Sequence, residues 1–475
     1  MTRRLFFALL SLLLAVQSFS QTTIHPASEA YEYPTDPQVA AKLEQWRDQK
    51  FGMLIHWGLY AVPGIIESWT LCNEDWITRG PDSVNYNDYK KWYWGLKKDF
   101  NPVKFNPDQW ADAAAKAGMK YVVFTTKHHD GFNMFDTQFS DYKISDGLFK
   151  NNPKADVARH VFDAFRKKEM MIGAYYSKPD WHSQYFWWDY YATPDRNVNY
   201  DIRKHPERWN KFVQYTHDQL NELTTNYGDI DILWLDGGWV RPRNTVTEEV
   251  ISWGAPIPEF DQEINMPAIA EAARKNQPGI LMVDRTVHGP YENYRTPEQG
   301  IPGNMSADPW ESCITLGGAW GYVPNDKFKS SEKVIHLLIE IVAKGGNLLL
   351  GVGPTAEGLF LPEQVARLEE IGQWLETNGE GIYNTRAIQN FKDGNVYFTQ
   401  GKDGKMYAIP TFDASHPFTR TIRWKGNSPN PESQVRLLGY DKPLKWKREG
   451  EETVVTLPEK MEGLASQPAL VLSYY

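Results

Sequence analysis

The sequence predicts an α/β protein, with a (β/α)8-like TIM barrel over residues 22–385 and a small antiparallel β-sandwich over residues 386–475. Three observations carry that prediction. From about residue 40 to 385, short apolar runs alternate with longer amphipathic ones, the rhythm of repeated βα units. The short runs are continuously β-branched and aromatic, as strands are when both faces of a parallel sheet are covered. Beyond about residue 390, the helical period gives way to short strand candidates parted by tight turns.

In chain order, the strand-like runs lie at 51–56, 121–126, 171–176, 230–235, 280–283 and 348–352. Helix-like stretches fall at 107–117, 156–168, 208–227, 267–275, 331–343 and 363–377. About six clear βα units over so long a stretch favour a barrel over an open doubly wound sheet and leave room for irregular units. Polar residues collect where the strands end: His56, then Lys127-His128-His129-Asp130, Ser177-Lys178-Pro179-Asp180, Asp236-Gly237-Gly238 and Asp284-Arg285. The C-terminal ends of barrel strands carry the chemistry, so the same pattern marks a site. The later strand candidates are 395–400, 405–410, 419–424, 434–438, 453–457 and 469–473, with turns at Lys392-Asp393-Gly394 and Lys402-Asp403-Gly404.

At the other end, Arg3 and Arg4 precede a run at 5–16 that is apolar except for Ser11, and small polar residues follow to Gln21. This reads as a secretory signal peptide over residues 1–21, leaving an exported chain, periplasmic or secreted. The run is shorter than the roughly 20 apolar residues of a membrane-spanning helix, so no stable membrane insertion is expected. Loss of Arg3 and Arg4 takes the net charge from −9 to −11, an acidic balance that argues against a nucleic-acid partner. A hydrophobic fraction of 41% excludes a disordered chain. The 19 Trp, 25 Tyr and 22 Phe exceed what a core needs and suit a site that stacks on sugars. Cys72 and Cys313 are expected as free thiols, because a domain of this size needs no staple. Oligomeric state is left open.

The sharpest chemical segment is Asp231-Ile232-Leu233-Trp234-Leu235-Asp236-Gly237-Gly238-Trp239. A carboxylate directly after a buried strand is held rigidly at a barrel mouth, and two glycines let backbone or substrate approach it; the competing role is a turn or helix cap. His128 and His129 are adjacent on a strand and point in opposite directions, which suits sugar hydroxyls better than one shared metal ion. No metal and no cofactor are expected. No nucleophile-elbow serine, phosphate-loop lysine or dinucleotide glycine motif is present. Paired carboxylates remain, and in an aromatic-lined barrel they point to glycoside hydrolysis.

At this point the sequence resembles the retaining α-L-fucosidases, glycoside hydrolase family 29. The resemblance rests on Trp-Leu-Asp-Gly-Gly at 234–238, His-Trp-Gly at 56–58, Lys-His-His-Asp-Gly-Phe at 127–132, Tyr-Tyr-Ser at 175–177 and Gly-Gly-Asn-Leu-Leu-Leu-Gly-Val-Gly-Pro at 345–354. It implies a barrel followed by a β-sandwich, and a fucosylated glycan as substrate. It implies Asp236 as nucleophile, with His56, His128, His129, Tyr176, Trp234, Arg285 and Trp320 around the sugar. Glu67 and Trp69 resemble a substrate-binding Glu-Trp pair, here split by Ser68. Strand alternation turns only one of Tyr175 and Tyr176 inward. For the acid/base, Glu298 before Ile301-Pro302-Gly303 is favoured over Glu292 and Glu311. Trp57, Trp69, Trp234 and Trp320 are tied to the pocket, and the aromatic cluster at 185–191 either faces the leaving group or packs a loop. Loops 185–196 and 241–262 are where leaving-group contacts would vary. Two other readings are a barrel glycosidase acting on α-L-galactosides and a catalytically inactive carbohydrate-binding protein.

Overall fold

A computed structural model describes residues 31–79 and 85–475. The segment 1–21 lies outside the described residues. Seven parallel strands form the first sheet: β1 (Phe51–Ile55), β2 (Tyr121–Lys127), β3 (Met171–Ser177), β4 (Ile232–Asp236), β5 (Leu281–Asp284), β6 (Glu311–Thr315) and β7 (Asn347–Val352). Their order is β5-β4-β3-β2-β1-β7-β6, a curled half-barrel layout. The two edges meet through an irregular segment at 291–299. Asn293 donates its N–H to Met282 of β5, while Gln299 donates its N–H to Cys313 of β6, Cys313 donates to Pro297, and Glu311 of β6 donates to Arg295. The (β/α)8-like expectation therefore holds in layout, with seven regular strands and one irregular bridge.

All six strand runs read from the sequence are strands; β6 was not among them. Its Glu-Ser-Cys-Ile-Thr sequence carries one strongly apolar residue, because Glu311 serves polar partners inside the barrel and Ser312 bonds the Gly300 carbonyl. Helices at Pro107–Lys116, Val157–Arg166, Pro206–Asn226, Met266–Asn276, Ser331–Ala343 and Pro362–Asn378 fill the expected places. Four of them place proline at the start, where no intrahelical N–H partner is lost.

Strand alternation divides the core in two. Leu54, Val123, Tyr175, Trp234, Val283, Cys313 and Leu349 point inward and form one cluster, closed at one end by Val39, Leu43 and Trp46 of the helix Pro37–Gln49. Met53, Phe124, Tyr176, Leu235, Met282 and Leu350 point outward against the helices. Register locks this parity: Tyr175 pairs with Trp234, and Trp234 with Val283.

The C-terminal strands are β8 (Thr385–Arg386), β9 (Lys392–Asp393), β10 (Val396–Gly401), β11 (Met406–Pro410), β12 (Thr421–Lys425), β13 (Val435–Leu437), β14 (Pro443–Glu449), β15 (Glu452–Thr456) and β16 (Leu472–Tyr474). They form a second, antiparallel sheet around a core of their own that includes Phe398, Trp424, Leu437 and Leu472. Its other face joins the barrel's outer core through Tyr397, Tyr407, Ile409 and Val471.

Candidate active site

A cavity of about 740 Å³ opens where the strands of the first sheet end. Asp236 is the last residue of β4 and shares the inward parity of Trp234. The backbone turns immediately after it: Gly237 has φ +87°, and a Cβ there would lie 2.2 Å from Pro179. A Cβ on Gly238 would lie 1.9 Å from the Thr286 hydroxyl, so this second glycine admits the β5 loop. The Asp-Gly-Gly signature is thus a steric requirement of the strand end.

Asp236 accepts from the Tyr175 hydroxyl at 2.6 Å, the Gly237 N–H at 2.8 Å and the Arg285 guanidinium at 3.2 Å. Burial opposes its ionisation, but the Arg285 charge and these donors outweigh that and hold the carboxyl well below the usual carboxylate range. Arg285 follows β5 and rests over the Trp234 ring, 5.0 Å from its centroid. Its second terminal nitrogen donates to Glu298 at 2.6 Å. One planar fork therefore grips two carboxylates, one from the end of β4 and one from the irregular segment before β6. The indole of Trp320 also donates to Glu298, at 3.3 Å.

Three histidines line the same cavity. His129 lies 3.8 Å from Asp236 and is oriented by Ser177 at 2.7 Å; His128 is hydrogen-bonded to Ser68 and stacks on Tyr175. His56 packs beside Trp320 with ring centroids 5.1 Å apart, and its buried Nδ1 has no protein partner. Burial keeps all three below the usual histidine range, so at neutral pH they offer hydrogen bonds and not charge. Among the described residues no group of three His, Cys, Asp or Glu side chains is arranged to hold a metal ion. Glu67 is buried, accepts the Gly321 N–H at 2.8 Å, and is pushed up to about 7 by burial. Trp69 lies on the other side, 5.1 Å from His129. Despite Ser68 between them, both line the cavity.

Two residues read from the sequence are elsewhere. Tyr176 is a correction: it points into the helix layer, donates to Gln219 at 2.8 Å and accepts from Lys127 at 3.0 Å. Tyr175 occupies the inward place, because its register partner Trp234 faces the barrel interior. Trp57 is likewise outside the cavity, packed among Phe100, Phe105 and Trp110. Of the three glutamates, Glu298 lines the cavity. Glu292 is buried against Arg295 and His288. Glu311 begins β6 at the far end of the barrel, where it accepts from Tyr121 at 2.7 Å and Trp234 at 3.1 Å.

Sequence reasoning missed a buried ion pair behind Asp236. Lys178 and Asp284 meet at 2.5 Å, both fully enclosed, and Lys178 donates its backbone N–H to the Asp236 carbonyl at 2.9 Å. The signal was visible, since both residues stand in the polar strand ends, but nothing local pairs them. Cys72 and Cys313 are both free and buried. Of the cluster at 185–191, Phe186 and Trp187 pack a loop core, whereas Tyr190 and Tyr191 are exposed and away from the cavity.

Residues 18–380 match the family described as alpha-L-fucosidase. The chain belongs to that family. It is accordingly a glycoside hydrolase, and family membership implies a fucosylated glycan as substrate. Human plasma alpha-L-fucosidase is 28% identical over 86% of the chain and 84% of its own length. Among solved structures, alpha-L-fucosidase isoenzyme 1 from Paenibacillus thiaminolyticus has a TM-score of 0.73 at 30% identity, over 92% of this chain and 99% of that one. The Thermotoga maritima alpha-fucosidase in complex with fucose has a TM-score of 0.69 at 25% identity, over 91% of this chain and 96% of the other.

Proposed function

We propose that the cavity removes terminal α-L-fucosyl residues from glycans by double displacement, with Asp236 as nucleophile and Glu298 as acid/base. The observation that carries this reading is the Arg285 fork joining Asp236 and Glu298 at one cavity floor. Asp236, ionised at working pH, attacks the anomeric carbon while Glu298 protonates the departing glycosidic oxygen. A β-fucosyl ester on Asp236 results. Glu298 then takes a proton from water, which attacks the same carbon and returns the α configuration.

Arg285, His129 and Tyr175 surround the reacting carboxylate, and His56, His128 and Glu67 offer bonds to ring hydroxyls. Such preset donors favour the charge-separated transition state over the ground state. The Trp320 face beside His56 suits the sugar's methyl group. An added hydroxyl there, as in an α-L-galactoside, should cost roughly 1–3 kcal/mol. Export after loss of residues 1–21 belongs to the same reading, supported by Arg3, Arg4 and the apolar run that follows. N-terminal sequencing of the exported protein tests it.

Hydrolysis of an aryl α-L-fucoside or of a fucosylated oligosaccharide tests the activity, and absence of turnover on both at micromolar enzyme would sink the reading. For the nucleophile, Asp236→Gly should lose roughly 10³-fold or more in kcat and, with azide, form β-fucosyl azide. Absence of that product would remove Asp236 from the role.

A further inference from the structure

A single deoxyhexose fills only the floor of this cavity. Above the catalytic carboxylates its wall changes character. Trp76 and Ile77 come from one rim segment, and Val246, Trp253, Ile257 and Phe260 from another. Trp76 is 52% exposed, and Trp253 is half-buried.

Trp76 connects through Trp69 to His129 beside Asp236, and Trp253 connects through Arg241 to the loops that follow β4 and β5. His129 beside Asp236 packs on Trp69, and Trp69 packs on Trp76 with centroids 5.2 Å apart. On the other side, Arg241 bonds the carbonyls of Gly238 and Thr286, and its guanidinium lies 5.6 Å from the Trp253 ring.

The rim is also braced. Glu74 accepts from the Trp76 indole at 2.8 Å and grips Arg196 at 2.6 and 2.7 Å. The Arg196 carbonyl accepts the Trp239 indole, and Asn197 reaches across to the Pro256 carbonyl at 2.9 Å. Rings held this firmly in water's reach lose little freedom when a ligand covers them. A flat apolar surface of this kind matches the C–H face of a pyranose ring.

We propose that Trp76 and Trp253 form a leaving-group subsite that stacks successive pyranose rings of the glycan, so that the substrates are fucosylated oligosaccharides and not fucosides of small alcohols. The proposal rests on the fucosidase reading above. Three probes separate the two: α-L-fucosyl fluoride, whose leaving group has no ring; octyl α-L-fucoside; and the fastest-cleaved member of a panel of fucosylated pentasaccharides with α1,2, α1,3, α1,4 or α1,6 linkages. For Trp76→Ala and Trp253→Ala, the ratio of kcat/KM on the pentasaccharide to that on the fluoride should fall about tenfold each. Both substitutions lie on the rim, and unchanged thermal unfolding of each variant shows that it is folded. An unchanged ratio overturns the subsite, and so does a fall confined to the octyl glycoside, which would mean an apolar leaving group. If the wild-type protein hydrolyses none of the three, the fucosidase reading falls and the subsite with it.

Discussion

The ionisation of Asp236 depends on a single neighbour more than on any other. Burial alone would raise its pKa, and the Arg285 charge is the largest effect opposing that. On the reading of Asp236 as nucleophile, activity falls as pH drops through its pKa. Replacing Arg285 by Met should therefore raise that pKa and move the acid limb of kcat/KM to higher pH, besides lowering the plateau. An acid limb that stays in place would show that Arg285 does not set the charge on Asp236. Glu298→Ala should lower kcat/KM by about 10²–10⁴ on substrates with poor leaving groups and far less on the fluoride, which needs no proton. Wild-type-like rates on both would move the acid/base elsewhere. At this scale the sequence was legible in part. Asp236 could be read because a carboxylate after an apolar strand has one place to go. Tyr175 could not be told from Tyr176, because parity needs the neighbouring strand: only pairing with Trp234 decides which ring faces inward.

Two elements carry charge into the interior. Lys178 follows β3 and Asp284 ends β5, so their ion pair spans the end of β4 that bears Asp236. Removing one partner leaves the other buried and unpaired, at a cost of about 3–5 kcal/mol. Asp284→Asn should therefore unfold at markedly lower temperature, and the double variant Lys178→Met, Asp284→Leu should recover much of the loss. If both unfold alike, the pair is not a brace. At the start of β6, burial pushes Glu311 up from 4.5 to about 7. Between those values the folded chain keeps a proton that the unfolded chain has released. Stability then declines as pH rises across that window, by at most about 1.4 kcal/mol per unit for this group. Glu311→Gln should flatten the decline in unfolding temperature between about pH 4.5 and pH 7; an unaltered slope would assign it to other groups. The same element explains why β6 escaped the sequence reading. Glu311 serves a polar network inside the barrel and Ser312 bonds the Gly300 carbonyl, so β6 lacks the apolar run that announces the other strands.

At the scale of the whole molecule, the second sheet completes the barrel's exterior. The Trp374 indole donates to Ala469 at 2.9 Å, His336 is bonded to the Pro468 carbonyl at 2.8 Å, and Arg386 pairs with Glu44 and Asp48 of the helix Pro37–Gln49. A chain ending at Thr385 would expose the outer surface that Tyr407, Ile409 and Val471 cover. It should give little soluble protein and unfold at a lower temperature, whereas undiminished thermal stability would make the sheet an independent appendage. The amino-acid sequence by itself determined the barrel class, the strand-end polar residues, the change to antiparallel strands and the position of Asp236, because each depends on local periodicity or on residues adjacent in the chain. The sequence already favours Glu298, but which of Glu292, Glu298 and Glu311 lines the cavity was decided by tertiary structure. Glu292 and Glu298 belong to the irregular bridge between β5 and β6, where no period tells which way a side chain turns, and Glu311 opens β6 at the far end of the barrel. Backbone bonds to Met282 and Cys313 orient that bridge, and Arg285, arriving from β5, meets Glu298, the one of these three that lines the cavity.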